Sequence, residues 1–199
     1  MQAYRAADCT SAIPLLSSVA RNDGKANLPL GQCYFETASY PKAIEPLRIY
    51  VGQFPTDIRG PVLLARSYLQ IGRNEDAVKV MTHFTEQHPQ DLNARAQLGR
   101  LYLETGDKEK SINILNEVIK QAPQNPAALL GLSLNALENQ HWQEAADDAN
   151  RVIQIAPGQP EAYRVLGDAY THLGQYEKAL GPYNEAFHRM PLDFAAKRD

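Results

Sequence analysis

The chain has 199 residues, a formal net charge of −3, a pI near 6.0 and 44% hydrophobic residues. This balance gives no broad electrostatic attraction to nucleic acid or to an anionic membrane, and no apolar run approaches the roughly 20 residues of a membrane span. The first residues lack the basic and apolar blocks of a signal peptide. We therefore expect a soluble protein and favour the cytoplasm, with a periplasmic or extracytoplasmic location as the alternative if a signal lies outside this chain.

Residues 1–23 have the pattern of the second helix of a pair whose first helix is missing, and the turn signal Asn22-Asp23-Gly24 follows them. Cys9 lies in this helix and Cys33 in the next one, and two cysteines are too few for a disulfide scaffold or a zinc site. We interpret Cys33 as a packing thiol. The alternative is a bridge between Cys9 and Cys33, which would imply an oxidising compartment.

A 34-residue pattern then recurs five times between Gly24 and Leu192 without insertion or deletion. Apolar residues three and four positions apart predict two helices with buried faces in each register, and a proline ends each second helix. Small residues mark where the two helices cross closely. On the first helices these are Gly31, Ala65, Gly99, Ser133 and Gly167, and on the second helices they are Ala43, Ala77, Ser111, Ala145 and Ala179.

This pattern resembles the tetratricopeptide repeat, although the family's tryptophan slot holds no Trp here. The resemblance implies an all-α fold, a right-handed superhelical solenoid of antiparallel helix pairs, with a concave groove lined by the first helices. We divide the chain into an incomplete repeat at 1–23 (second helix only), a five-repeat domain at 24–193, and a truncated start of a further helix at 194–199.

The two ends of the repeat array lack the polar capping helix that natural arrays usually carry. Tyr183, Phe187, Leu192 and Phe194 are therefore expected to be uncovered. We expect the chain to be a fragment of a longer protein; the alternative is that its ends pair with another copy.

The sequence contains no motif for a catalytic, metal or cofactor site. The histidines fall in turns, helix ends or outer faces, and the glycines fall at packing slots and turns instead of a phosphate-binding loop. We therefore predict that the chain is not an enzyme and takes no cofactor or metal.

The groove positions implied by the resemblance are the candidate site. A partner is expected to contact Leu28, Gln32, Phe35, Val62, Arg66, Leu69, Arg100, Leu103, Leu130, Leu134, Leu137, Arg164 and Asp168. Leu130, Leu134 and Leu137 form a stripe expected to face water, which is typical of a partner site unless these leucines pack on one another. Arg66 and Arg100 occupy the same slot of neighbouring repeats. They are interpreted either as a clamp for a carboxylate or as solvated charges.

These patterns predict a non-enzymatic protein-interaction scaffold whose groove binds a protein or peptide with apolar anchors and an acidic group. One alternative is a structural spacer that self-associates through its uncapped ends. Another is the adaptor region of a larger multidomain protein. We expect no nucleic-acid partner and no membrane span.

Overall fold

The computed structural model describes residues 2–189, with side chains from Asp8 onward. Its regular elements in this range are α-helices and a 3-10 turn at Gly24–Ala26. The α-helices are α1 (Gln2–Val19), α2 (Asn27–Glu36), α3 (Tyr40–Gln53), α4 (Arg59–Gln70), α5 (Asn74–Gln87), α6 (Leu92–Glu104), α7 (Lys108–Gln121), α8 (Pro126–Glu138), α9 (Trp142–Ile155), α10 (Pro160–His172) and α11 (Tyr176–Arg189). The all-α fold expected from the sequence is confirmed.

The chain forms two compact units, Met1–Ala94 and Arg95–Asp199, and the boundary falls within α6. In the first unit the helices from α1 to α5 pack each on the next, and α2 also packs on α4. In the second unit the helices from α7 to α11 do the same, and α8 also packs on α10. Each unit therefore repeats one arrangement, in which a first helix contacts its own second helix and the first helix of the next pair.

The turn within each helix pair has the same backbone every 34 residues. The second residue after the first helix has a positive φ at Ala38, Gly72, Gly106, Gln140 and Gly174. The next amide donates back to a carbonyl near the end of the first helix, as in Ser39 to Tyr34 at 2.8 Å and Gln175 to Tyr170 at 2.8 Å. This is the Schellman geometry that closes a helix C-terminus.

A recurring polar side chain fixes the start of four of the five first helices, while the equivalent Gln159 before α10 makes no capping hydrogen bond through its side chain. Asp23, Asp57, Asp91 and Asn125 stand 34 residues apart, and each accepts a hydrogen bond from a backbone amide two or three residues later. These side chains satisfy amide groups that would otherwise lack partners at a helix N-terminus. The 34-residue spacing of Asp and Asn in the sequence is the signal that marks these helix starts.

Close packing explains the small residues of the repeat. A Cβ at Gly31 would lie 2.5 Å from Leu47 Cγ, one at Gly99 would lie 2.8 Å from Leu115 Cδ2, and one at Gly167 would lie 2.7 Å from the Tyr183 ring. The alanines Ala43, Ala77 and Ala145 are fully buried. The prediction that helices cross closely at these slots is confirmed.

The second unit contains a continuous apolar core. Its buried members come from α8, α9 and α10: Leu129, Leu130, Ala136, Ala145, Ala146, Ala149, Val152, Ala162, Val165, Leu166 and Ala169. Each fully buried Leu or Val contributes roughly 1.5–3 kcal/mol relative to an exposed one. The core fixes how α8 and α10 lie against each other, and hence where their polar side chains meet.

Candidate functional site

An ion pair links α6 to α10 in the second unit. Arg100 Nη2 on α6 donates to Glu161 Oε2 on α10 at 2.7 Å. The Arg100 side chain is 18% exposed, and its Nε is buried without a hydrogen-bond partner among the described residues. A charge-assisted bond between mostly buried groups is stronger than one between exposed groups, so this pair holds Arg100 in one position.

Gly131 of α8 makes room for the Arg100 side chain. A Cβ at Gly131 would lie 2.9 Å from Arg100 Cγ and 2.8 Å from Leu115 Cδ1. Arg100 therefore lies against α8 before it reaches Glu161. Leu134 lies three residues after Gly131, on the same side of α8.

The neighbouring turn of α10 carries a second polar network. Arg164 Nη1 donates to Asp168 Oδ2 at 2.7 Å, and Tyr183 of α11 donates its hydroxyl proton to Asp168 Oδ1 at 2.8 Å. Burial raises the pKa of Tyr183 above its ordinary value, and the hydrogen bond to Asp168 acts in the same direction. Tyr183 thus stays neutral at physiological pH and holds Asp168 in place.

We define the second-unit face as Arg100, Leu134, Leu137, Glu161, Arg164 and Asp168. Glu161, Arg164 and Asp168 follow one another at three- and four-residue spacing along α10, which puts them on one side of that helix. Both arginines are already paired with carboxylates of the chain itself. The interpretation of Arg100 as a solvated charge is therefore wrong, and any carboxylate of a partner would meet an arginine that Glu161 already holds.

The apolar stripe of α8 also differs from the expectation. Leu130 is 1% exposed and belongs to the core, while Leu134 and Leu137 are half-buried and pack against it. Leu103 of α6 is buried as well. The prediction that Leu130, Leu134 and Leu137 together face water is therefore wrong. Neighbouring helices cover α8 on more than one side, so they bury Leu130 and partly cover the other two leucines.

The predicted residues of the first unit lie on α2 and α4. Leu28, Phe35, Val62 and Leu69 are half-buried, and Gln32 and Arg66 are exposed. The Arg66 guanidinium lies over the Phe35 ring, 5.1 Å from its centroid, and Gln32 donates to Glu36 at 2.8 Å. Arg66 and Arg100 belong to different units, so their alignment at one slot stays a prediction.

The two cysteines form a disulfide between α1 and α2. The interpretation of Cys33 as a packing thiol is therefore wrong, and the alternative of a bridge to Cys9 is what the structure contains.

Four apolar residues near the C-terminal end were expected to be uncovered, and the structure describes two of them. Tyr183 is half-buried and Phe187 is exposed, whereas Leu192 and Phe194 lie outside the described residues.

Within the described residues, no helix is both long enough and apolar enough to cross a membrane. No group of three or more His, Cys, Asp or Glu side chains in that same part of the chain could hold a metal ion.

Comparison with known proteins places the repeat pattern in a family. Two sequence models of the tetratricopeptide repeat match the chain, one over residues 72–133 and the other over residues 2–58 and 130–191. No curated protein sequence matches it.

Solved structures with the same fold are similar at low sequence identity. A thermophilic tetratricopeptide repeat protein of Thermus thermophilus has a TM-score of 0.72 at 19% identity, covering 87% of this chain and 94% of that one. The MamA protein has a TM-score of 0.53 at 19% identity, covering 88% and 96%. The Cut9–Hcn1 hetero-tetramer of APC/C has a TM-score of 0.75 at 15% identity, covering 94% of this chain and 37% of that one. At these identities the likeness concerns the fold, and the family models carry the assignment: the chain belongs to the tetratricopeptide repeat family.

Proposed function

We propose that this chain is a non-enzymatic scaffold whose second-unit face binds a segment of a partner protein. The segment would make apolar contacts with Leu134 and Leu137 and would place an acidic side chain at Arg100. The tetratricopeptide repeat fold is that of a protein-interaction scaffold, which gives the class of function. The finer proposal depends on the Arg100–Glu161 pair.

Arg100 supports a carboxylate site because its partner is itself a carboxylate. Glu161 Oε2 lies 2.7 Å from Arg100 Nη2, so the position already suits an oxygen anion. A guanidinium has a planar fork of donors that can pair with a carboxylate in a bidentate way. A partner's acidic side chain would therefore replace Glu161, or share Arg100 with it.

Leu134 and Leu137 support an apolar contact beside this site. Both pack against the core while keeping part of their surface exposed. Leu134 is one turn from Gly131, where the Arg100 side chain lies. A segment crossing α8 would thus meet an apolar and a cationic group within one or two turns of helix.

The experiment selects random displayed peptides on the full chain and measures the binding of the selected peptides by calorimetry. We expect acidic residues to be enriched and Arg100→Gln to weaken binding by about tenfold, equal to about 1.4 kcal/mol. Replacing the peptide's acidic residue with its amide should have little further effect on that variant, since the two groups would be coupled. Leu134→Glu should abolish binding.

Two control variants match these changes away from the face. Arg48→Gln alters an exposed arginine of α3 that is paired with Glu45, and Ile49→Glu puts a charge at an exposed apolar position of the same helix. Equal affinity of the selected peptides for the wild type, Arg100→Gln and Leu134→Glu would reject the proposal. So would a selection without acidic peptides.

A second candidate function, self-association, is favoured by the outer surface of α11. Tyr176, Leu180 and Phe187 are exposed there, with Leu180 at 64%, and a contiguous exposed apolar surface is typical of an interface. Light scattering over a wide concentration range tests this, with Leu180→Glu expected to reduce any growth in molar mass and Ile49→Glu as the control. A monomer at every concentration would reject it. The interpretation as an adaptor region stays a prediction.

A further inference from the structure

The Cys9–Cys33 disulfide joins two helices through buried sulfur atoms. Cys9 of α1 is 7% exposed and Cys33 of α2 is 8% exposed, and their Cα atoms lie 4.8 Å apart. Glu36 Oε2 lies 3.3 Å from Cys9 Sγ. Since a disulfide sulfur carries no proton, this contact is not a hydrogen bond in the oxidised chain. The Glu36 carboxylate instead lies beside the disulfide that an attacking thiolate must reach.

The described part of α1 beyond Cys9, residues 10–19, is half-buried or exposed. Among its described side chains, residues 8–19, Cys9 alone is buried. Leu15 is 71% exposed, Val19 is also exposed, and Pro14 interrupts the hydrogen bonding within the helix. By contrast, α3 buries Ala43, Leu47 and Tyr50. The hydrophobic contribution of residues 8–19 is therefore smaller than that of a repeat helix such as α3.

We propose that the disulfide is the principal attachment of α1 to α2, and that a dithiol reductant releases α1 from the first unit. A thiolate of the reductant would attack one sulfur of the bond and form a mixed disulfide with it. The second thiol of the reductant would then close its own disulfide. The reductant loses two electrons and two protons, and Cys9 and Cys33 become thiols.

Release of α1 would change the surface of the first unit. α2 packs on α1, on α3 and on α4, so loss of α1 would uncover the α1-facing side of α2 and leave its other contacts in place. The oxidised chain would keep that side covered. Structural disulfides persist in oxidising compartments and are rare in the cytosol. The disulfide therefore favours a periplasmic or extracytoplasmic location of the oxidised chain over the cytoplasm.

The experiment compares hydrogen exchange of the oxidised full chain with that of the same chain treated with dithiothreitol. Thiols are labelled in parallel, so that each exchange profile is assigned to an oxidised or a reduced species. We expect amides of residues 8–19 to exchange roughly a hundredfold faster after reduction, the order of magnitude for loss of a native disulfide. Amides of α4 and α5 should keep their protection.

The double variant Cys9→Ser, Cys33→Ser is the matched reduced-state control. It should reproduce the reduced profile of the wild type and should not respond to dithiothreitol. If the variant does not fold, the wild type partly reduced with dithiothreitol still gives the comparison, since both species are present in one sample.

Three outcomes would overturn the proposal. Unchanged exchange of residues 8–19 in the reduced species would show that noncovalent contacts suffice to hold α1. Equal loss of protection in α1, α4 and α5 would show that the bond stabilises the whole unit. Two free thiols in the chain purified in air would show that the bond does not form. None of these outcomes bears on the second-unit face, which is tested separately.

Discussion

The side chain of Arg100 lies against Gly131, where an added Cβ would come within 2.9 Å of its Cγ atom. Arg100 belongs to α6 and Gly131 to α8, and the glycine lets the arginine cross to Glu161 on α10. Gly131 of α8 thus leaves the space that the ion pair between α6 and α10 needs.

Replacing Gly131 with Ala should therefore destabilise the chain. The new methyl group meets the stems of Arg100 and Leu115, and overpacking of this kind costs about 1–3 kcal/mol. Chemical denaturation gives the free energy of unfolding. Gly52→Ala in α3 is the matched control, because nothing lies within 4 Å of an added Cβ at that position; it should stabilise by about 0.5–1 kcal/mol through helix propensity. A Gly131→Ala variant as stable as the Gly52→Ala variant would contradict the close contact.

A second prediction concerns the turn at Gln140. Its φ is 63°, in a slot where three other repeats have glycine, and a side chain in the left-handed region costs about 1–2 kcal/mol. Gln140→Gly should raise the free energy of unfolding by about 0.5–1 kcal/mol, since glycine also makes the unfolded chain more flexible. Thermal and chemical denaturation both measure the gain.

Gly72→Ala is the reciprocal of that change. Gly72 has a φ of 74° and no neighbouring atom within 4 Å of an added Cβ, so the substitution should cost about 1 kcal/mol through the backbone alone. Opposite signs for the two variants are expected. Destabilisation by both would mean that Gln140 makes a favourable contact that outweighs its backbone.

A third prediction tests the packing slots of the second helices. Ala145 is fully buried in the core of the second unit. Ala145→Asp should cost roughly 2–4 kcal/mol, because it combines overpacking with a buried charge. Gln154→Asp, at an exposed position in the last turn of the same helix, should cost less than about 1 kcal/mol, because there the acidic group only opposes the helix dipole. If the two variants had the same denaturant midpoint, the repeat alignment that places Ala145 at a packing slot would be wrong.

The fourth prediction concerns the pH dependence of the Asp57 cap. Asp57 accepts hydrogen bonds from the Arg59 backbone amide and guanidinium and from the Tyr50 hydroxyl at 2.6 Å, and the Arg59 contacts lower its pKa well below the ordinary range. Since the unfolded chain takes up the proton first, the stabilisation is fully present above about pH 4. It is lost as the pH falls from there through the lowered pKa of the folded state.

Asp57→Asn tests this sign. The variant should be less stable than the wild type at neutral pH, because Asn can still cap the helix but cannot form the charge-assisted hydrogen bonds with the Arg59 guanidinium. The difference should shrink below about pH 4 in denaturation curves recorded at stepwise lower pH. Glu86→Gln, at an exposed position of α5, should show no such trend. A difference between wild type and Asp57→Asn that stays constant down to about pH 2.5, roughly one and a half units below the ordinary carboxyl pKa, would contradict the prediction.

The sequence alone determined the helices and their pairing, because those features depend on local signals that recur every 34 residues. Gly174 and Tyr183 show this well: a turn residue and a packing residue have fixed places in each register, and α10 and α11 begin and end around them as expected. The close contact of Gly167 with Tyr183 follows from the same spacing.

Only the tertiary structure decided which predicted groove residues are exposed and which charges pair. Leu130 became part of the core because α8 is enclosed by neighbouring helices, and a repeat pattern does not specify how far one pair covers the next. Arg100 and Glu161 are 61 residues apart, so their pairing depends on a side-chain path over Gly131 that no local spacing encodes. The sequence makes Cys9 and Cys33 a candidate pair, but bond formation needs two Cα atoms about 5 Å apart, a distance that the packing of α1 on α2 sets.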